Sequence, residues 1–332
     1  MLVDAVFLVV GLAVLVWAAD QFVLGSSRLA RIVDLPPVVV GAVVMGFGTS
    51  APEMIVSAIA AAGGDRELGV GNIVGSNVAN LSLVLGTAAF VTTMAIPKVV
   101  FRREGPLSLV AALLFALLVI DGSIERWEGI VLVVALVAVV VHLIRSGLDD
   151  ADADEDPGDL RLDSEVGRAV IGLIGTVAGA QLVVWGATDL ADELGVSGGF
   201  IGFSLVALGT SLPELVTTVA CARRSETELI VGNLFGSNIF NALAVGGAMG
   251  LVGPGLIEDE TLTGVALALM LAVALFAFVT GFFGQRIGRV DGSILLAAYV
   301  AIMIVLGTAA GDGDDSGAAA PPVTPTPSTM ME

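Results

Sequence analysis

One cysteine, one histidine and one tyrosine in 332 residues narrow the available chemistry at the outset. The lone thiol, Cys221, cannot form an internal disulfide and reads as a small apolar packing residue. Charge is scarce as well. Only 14% of residues are charged, against roughly 25% in soluble globular proteins. Basic residues are the rarest of these, 14 Lys and Arg against 33 Asp and Glu, and they form no patch, which excludes a nucleic-acid partner. What fills the space is apolar: 56% hydrophobic residues and a mean hydropathy of +0.97, the composition of a polytopic protein whose solvent is the lipid bilayer. The first apolar run flows into polar residues typical of a first span, so it is expected to stay rather than be cleaved as a signal peptide. The net charge of −19 lies in loops, linker and tail. An acidic exterior of this kind fits a high-salt environment, where strong charge keeps a surface hydrated and screening limits self-repulsion.

A bilayer core of roughly 30 Å needs about 20 apolar residues per helix. On that measure the chain is all-α with ten transmembrane helices, at roughly 3–24, 35–62, 67–93, 106–121, 127–145, 167–190, 198–222, 227–252, 261–283 and 290–310. An acidic linker over 146–166 divides a five-helix half, 1–145, from a second, 167–310. Residues 311–332, rich in Ala, Pro, Thr and Asp, cannot bury a core and are expected to form a disordered tail.

Lys and Arg set the orientation. Loops after odd-numbered spans carry Arg28, Arg31, Lys98, Arg102, Arg103, Arg145, Arg161, Arg168, Arg223, Arg224, Arg286 and Arg289; the other side holds Arg66 and Arg126. Twelve against two places both termini outside the cytoplasm and the 146–166 linker within it, in a multi-pass protein of the cell membrane. Because each half has an odd number of spans, the second enters the membrane the other way up. That is an inverted repeat, a mark of many secondary transporters.

The repeat is also written in the residues. Gly46-Phe-Gly-Thr-Ser-Ala-Pro-Glu53 returns as Ala207-Leu-Gly-Thr-Ser-Leu-Pro-Glu214, and Gly71-Asn-Ile-Val-Gly-Ser-Asn-Val-Ala-Asn80 as Gly232-Asn-Leu-Phe-Gly-Ser-Asn-Ile-Phe-Asn241. Thr49 and Thr210, Glu53 and Glu214, Asn80 and Asn241 all stand 161 residues apart, as do Gly11 and Gly172, Gly25 and Gly186. A carboxylate at mid-membrane costs about 2.5–3.5 kcal/mol, and a proline inside a helix about 3 kcal/mol. The chain accepts both twice, at Pro52-Glu53 and Pro213-Glu214, so spans two and seven are predicted to be broken helices with free backbone oxygens.

The spacing then gathers oxygen. Thr49 and Ser50 lie four and three residues before Glu53, on one helical face, and Thr210, Ser211 and Glu214 repeat the arrangement. Ser76 and Asn80, like Ser237 and Asn241, are four apart and add hydroxyl and amide oxygens. If the halves face each other, the site has two carboxylates, several hydroxyls, two amides and free carbonyls, with neither sulfur nor imidazole. All-oxygen ligation is hard-cation chemistry: calcium takes 6–8 oxygens, sodium can use the same hydroxyls and carbonyls, and manganese also accepts oxygen ligands. Two ions sharing one set of ligands is the physical basis of antiport, because the empty site exposes two uncompensated carboxylates.

At these residues the chain resembles the sodium/calcium exchanger family of the calcium:cation antiporter superfamily, in its prokaryotic form. The resemblance covers nearly all of 1–310 and rests on the two paired phrases. It implies an antiporter, not an enzyme, that exports Ca2+ against Na+ by alternating access, with no cofactor and no obligatory protein partner. It makes Thr49, Ser50, Glu53, Ser76, Asn80, Thr210, Ser211, Glu214, Ser237 and Asn241 ion ligands, with backbone carbonyls contributed at Gly46 and Ala207. It further implies that spans one and six slide over the remaining bundle. Some members carry Asp where this chain has Asn241, so the sodium count and any potassium dependence stay open. A proton/calcium or other divalent antiporter is the alternative within the superfamily, although such proteins tend to carry Gly-Asn-x-x-Glu phrases. A passive cation channel is the alternative of another class.

Other polar residues read as structural. Asp20 has Gln181 as its repeat partner and is expected to make interfacial hydrogen bonds; His142 sits at the end of span five; the acids of 149–159 lack the loop of an EF-hand. Tyr299, Trp17, Trp127 and Trp185 carry no site signal.

Overall fold

A computed structural model describes residues 2–95, 100, 102–149, 159–193, 207–284 and 286–314. Long apolar runs with few helix breakers give helices: α1 (Leu2–Ile32), α2 (Pro37–Thr49), α3 (Ala51–Ala62), α4 (Arg66–Val91), α5 (Glu104–Val119), α6 (Arg126–Asp149), α7 (Leu162–Glu193), α8 (Ala207–Thr210), α9 (Leu212–Arg223), α10 (Thr227–Val252), α11 (Leu267–Gly284) and α12 (Arg289–Asp314). Seven described helices are long and apolar enough to cross a membrane, and the bent pair α2–α3 makes an eighth. Of the other two expected spans, α5 is a shorter apolar helix of 16 residues, and the seventh span is described only from Ala207, residues 198–206 lying outside the described residues.

Several boundaries differ from expectation. α1 runs to Ile32 rather than 24, and α7 starts at Leu162 rather than 167. Both polar ends find partners without leaving the helix: Arg28 and Arg168 share the Glu165 carboxylate at 3.2 and 3.0 Å. The helical part of the expected tail continues to Asp314; 315–332, like 150–158 of the linker, lie outside the described residues.

The expected repeat is visible as packing. α1 and α7 run antiparallel and touch along their length through the four glycines noted above. A Cβ on Gly11 would lie 2.9 Å from Val183 N and one on Gly172 2.4 Å from Phe22 N. Gly25 meets Ala169 N at 2.7 Å, and Gly186 meets Leu8 N at 2.9 Å. Each contact maps onto the other through the 161-residue offset. Small residues are what let membrane helices approach this closely. Outside that pair, α10 is the centre of the bundle, with every residue of Leu229–Phe240 buried. Val9, Val134, Ile174 and Ile304 are more than 60% exposed, the apolar surface that faces lipid.

Two short ribbons tie the halves together at opposite ends. β1 (Met94–Ala95) pairs antiparallel with β4 (Arg286–Ile287), and β2 (Ser123–Ile124) with β3 (Gly255–Leu256). β1 and β3 are again 161 residues apart.

Candidate ion-binding site

Proline decides where the second span breaks. Ser50 sits at φ −84°, ψ 1°, between α2 and α3, which are bent by 43°, and Pro52 occupies the first turn of α3, where a missing N–H costs least. Ser211 repeats this at φ −88°, ψ 1° before Pro213. The chain bends rather than unwinds, since Met54 N still bonds Ser50 O at 3.1 Å and Leu215 N bonds Ser211 O at 3.0 Å. Thr49 and Glu53 therefore stand on either side of a bend instead of on one continuous helical face. Asn80 and Asn241 each open a π-helical turn, Asn80–Val84 and Asn241–Val245, a local widening common at functional sites.

Close backbone approach brings the halves into register. A Cβ on Gly46 would lie 2.8 Å from Ser237 N, and one on Gly236 would lie 2.3 Å from Ala42 O, so α2 and α10 cross almost backbone to backbone. Next to that crossing Thr49 Oγ1 reaches Ser237 Oγ at 3.2 Å, donates to Asn233 Oδ1 at 3.3 Å and also bonds Met45 O. In the inverted position Thr210 Oγ1 donates to Asn72 Oδ1 at 3.4 Å. On the pseudo-twofold axis Asn80 Nδ2 donates to Asn238 Oδ1 at 3.1 Å, and Asn238 Nδ2 to the carbonyl of its own repeat partner, Asn77, at 3.4 Å.

The two glutamates meet at this centre. Glu53 is 1% and Glu214 0% exposed; each is within electrostatic reach of the other, and Thr49 and Ser50 lie beside the Glu214 carboxylate. Among the described residues none makes a standard hydrogen bond with any of the four carboxylate oxygens, with Ser50, Ser76 or Ser211 Oγ, with Asn80 Oδ1, or with Asn241 Oδ1 or Nδ2. Buried oxygens are ordinarily satisfied within the fold. This many buried oxygens without hydrogen-bond partners is the environment a cation stabilises. Among the described residues no group of three His, Cys, Asp or Glu could hold a metal, which leaves hydroxyl, amide and carbonyl oxygen to complete any shell.

The structure thus brings together Thr49, Ser50, Ser237 and Glu214, with Glu53 in electrostatic reach of Glu214, and Ser76, Asn80, Ser211 and Asn241 are buried as well; Gly46 lies in the crossing, and Ala207 opens α8. Sequence reading missed Asn72, Asn77, Asn233 and Asn238. The signal was present, because all four are polar residues inside apolar runs, in two pairs with the 161-residue offset. Asp20 is where the sequence placed it in chemistry, bonding Arg224 through both oxygens at 2.7 and 2.8 Å.

The profile of a family described as sodium/calcium exchanger protein matches this chain over residues 3–145 and again over 165–307, once per half. A relative named putative antiporter CaxA, from Alkalimonas amylolytica, is 37% identical over 92% of this chain and 99% of its own. The sodium/calcium exchanger MaX1 of Methanosarcina acetivorans is 29% identical over 92% and 98%. Among solved structures, the sodium-calcium exchanger NCX_Mj soaked with 10 mM Na+ and 10 mM Sr2+ superposes with a TM-score of 0.82 at 32% identity, covering 92% of this chain and 98% of that one.

Proposed function

Because the chain belongs to the sodium/calcium exchanger family, it is an antiporter exchanging Ca2+ for Na+ by alternating access, and we propose that its ions bind where Glu53 and Glu214 meet. The ligands are Thr49, Ser50, Glu53, Ser76 and Asn80 from one half and Thr210, Ser211, Glu214, Ser237 and Asn241 from the other, with the carbonyls of Gly46 and Ala207. The observation that carries this reading is the set of buried oxygens with no hydrogen-bond partner among the described residues, centred on two carboxylates from opposite halves. Ca2+ and Na+ are substrates here, and no cofactor or catalytic residue is involved.

Two carboxylates match the charge of one calcium, while the same oxygens can hold sodium ions singly. Filled by either species the site is neutral enough to cross between faces; empty, it exposes two buried charges to each other and to a low-dielectric core. That penalty prevents the unloaded carrier from returning and makes the exchange obligatory. The α1–α7 pair is the element that moves. It packs on itself along its length, and polar bonds at one end, Asp20 to Arg224 and Ser27 Oγ to Glu226 at 2.7 Å, hold it to the bundle.

The Lys and Arg distribution supports ten spans with both termini outside and the linker in the cytoplasm. On this reading an Asp159→Cys thiol reacts with a membrane-impermeant maleimide from the cytoplasmic face alone. All proposed ligands come from one chain, so one copy suffices for the site. Equilibrium calcium binding to the purified protein tests the assignment. Sodium should displace bound calcium; calcium retained at saturating sodium would mean that the two ions do not share these ligands.

A further inference from the structure

Asn72 and Asn233 stand outside the ligand set, yet both are largely buried and they are repeat partners. Each accepts from a threonine of the opposite half: Asn233 Oδ1 from Thr49 at 3.3 Å, Asn72 Oδ1 from Thr210 at 3.4 Å. With the acceptor side of both amides occupied alike, their donor sides can be compared, and these differ. Asn72 Nδ2 donates to Ser57 Oγ at 2.9 Å and to the carbonyl of Glu53 at 3.3 Å, tying α4 to the first turns of α3. The repeat partner of Ser57 is Thr218, so the inverted half offers Asn233 the same acceptor. That bond is not made. Among the described residues Asn233 Nδ2 and Thr218 Oγ1 have no hydrogen-bond partner, though both residues are fully buried. Thr217 Oγ1, which donates to Pro213 O at 2.6 Å, also lies 3.1 Å from the carbonyl of Glu214.

A buried donor and a buried acceptor at matching positions, each without a partner, are costly in a static protein. In an inverted-repeat carrier the cost is temporary, because the change of access state exchanges the conformations of the two halves. We propose that Asn72 and Asn233 are positioning residues that hold the threonine hydroxyls of the ion site in both states, and that their amide arms engage alternately: Asn72 on Ser57 in this state, Asn233 on Thr218 in the opposite one. Both residues are neutral, so the exchange moves no proton. The threonine geometry is kept while the broken helices α3 and α9 are gripped in turn.

The proposal rests on the antiport reading, and the experiment separates the two. Protein of fixed orientation in vesicles is assayed for the apparent calcium KM at each face. Apparent affinity at a face scales with the population open to it. Ser57→Ala removes the arm of this state and Thr218→Val that of the opposite state. The ratio of the two KM values should therefore move in opposite directions in the two variants, by about fivefold each, the size of one buried hydrogen bond. Asn72→Leu and Asn233→Leu should raise KM at both faces by about 10–100-fold, as loss of groups orienting metal ligands does. Should an Asn→Leu variant fail to fold, the two conservative hydroxyl deletions still decide the matter. Shifts in the same direction, an unchanged ratio, or wild-type KM in a folded Asn→Leu variant would overturn the alternating grip and leave antiport standing. Absence of sodium-driven flux in the wild type would overturn both.

Discussion

Glu53→Gln and Glu214→Gln should each abolish calcium exchange while leaving a folded, monodisperse protein. Glutamine keeps the volume and one oxygen of the side chain and removes one of two charges available to a divalent ion. The loss cannot be made good nearby, because the rest of the proposed shell is hydroxyl, amide and carbonyl oxygen, and the described residues contain no third carboxylate in reach. Folding should suffer little, since no standard hydrogen bond from the described residues is made to either carboxylate and only the Thr49 and Ser50 hydroxyls lie beside Glu214. Removing one of two facing buried charges even relieves the ion-free protein. Thermal unfolding makes the distinction measurable. A ligand at about 100 times its Kd stabilises by about 2.7 kcal/mol, so the wild type should melt higher in calcium and neither variant should respond. A folded variant with wild-type flux and a calcium-dependent Tm would remove the glutamates from the site.

Gly236→Val is expected to be nearly as damaging, for a reason that involves no ligand atom. Any Cβ at 236 would lie 2.3 Å from Ala42 O and 2.5 Å from Ala42 Cα, both backbone, so neither neighbour can rotate away. α2 and α10 must separate, and with them the contacts of Thr49 with Ser237 at 3.2 Å and Asn233 at 3.3 Å. Overpacking of this sort costs about 1–3 kcal/mol in well-packed cores and more where backbone meets backbone. Gly75, the repeat partner, is the control: an added Cβ there meets nothing within 4 Å among the described residues. Gly75→Val should therefore keep its Tm within a few degrees of wild type, while Gly236→Val loses both stability and transport. Equal Tm losses in the two would mean that the close crossing is not specific to one half.

Much of this was legible because the chain states its site twice. A proline followed by a glutamate inside an apolar run is costly once; repeated at a constant offset in an inverted half, it marks the break, and Ser50 and Ser211 are where the helices bend. The glycines that recur at the same offset proved to be the α1–α7 contact. Other features depend on tertiary contact and left weaker traces. The π turns at Asn80 and Asn241 leave no mark in local propensity, and the two-residue ribbons form only because loops from opposite halves meet. Helix ends were set too short where polar residues such as Arg28 and Arg168 stay helical by sharing Glu165. Asn72 and Asn233 were passed over for a different reason. Attention to oxygen ligands picks out the end of each repeated phrase, whereas the residues that orient those ligands stand at its beginning.

The most direct measurement is calcium uptake into proteoliposomes loaded with sodium and diluted into sodium-free buffer at matched pH, with potassium-loaded and acid-loaded vesicles alongside. Uptake that follows only the outward sodium gradient, and disappears in Glu53→Gln and Glu214→Gln, is the predicted result. Uptake driven by the acid interior with no sodium present would contradict it, and would make the two glutamates carriers of protons rather than ligands shared by calcium and sodium.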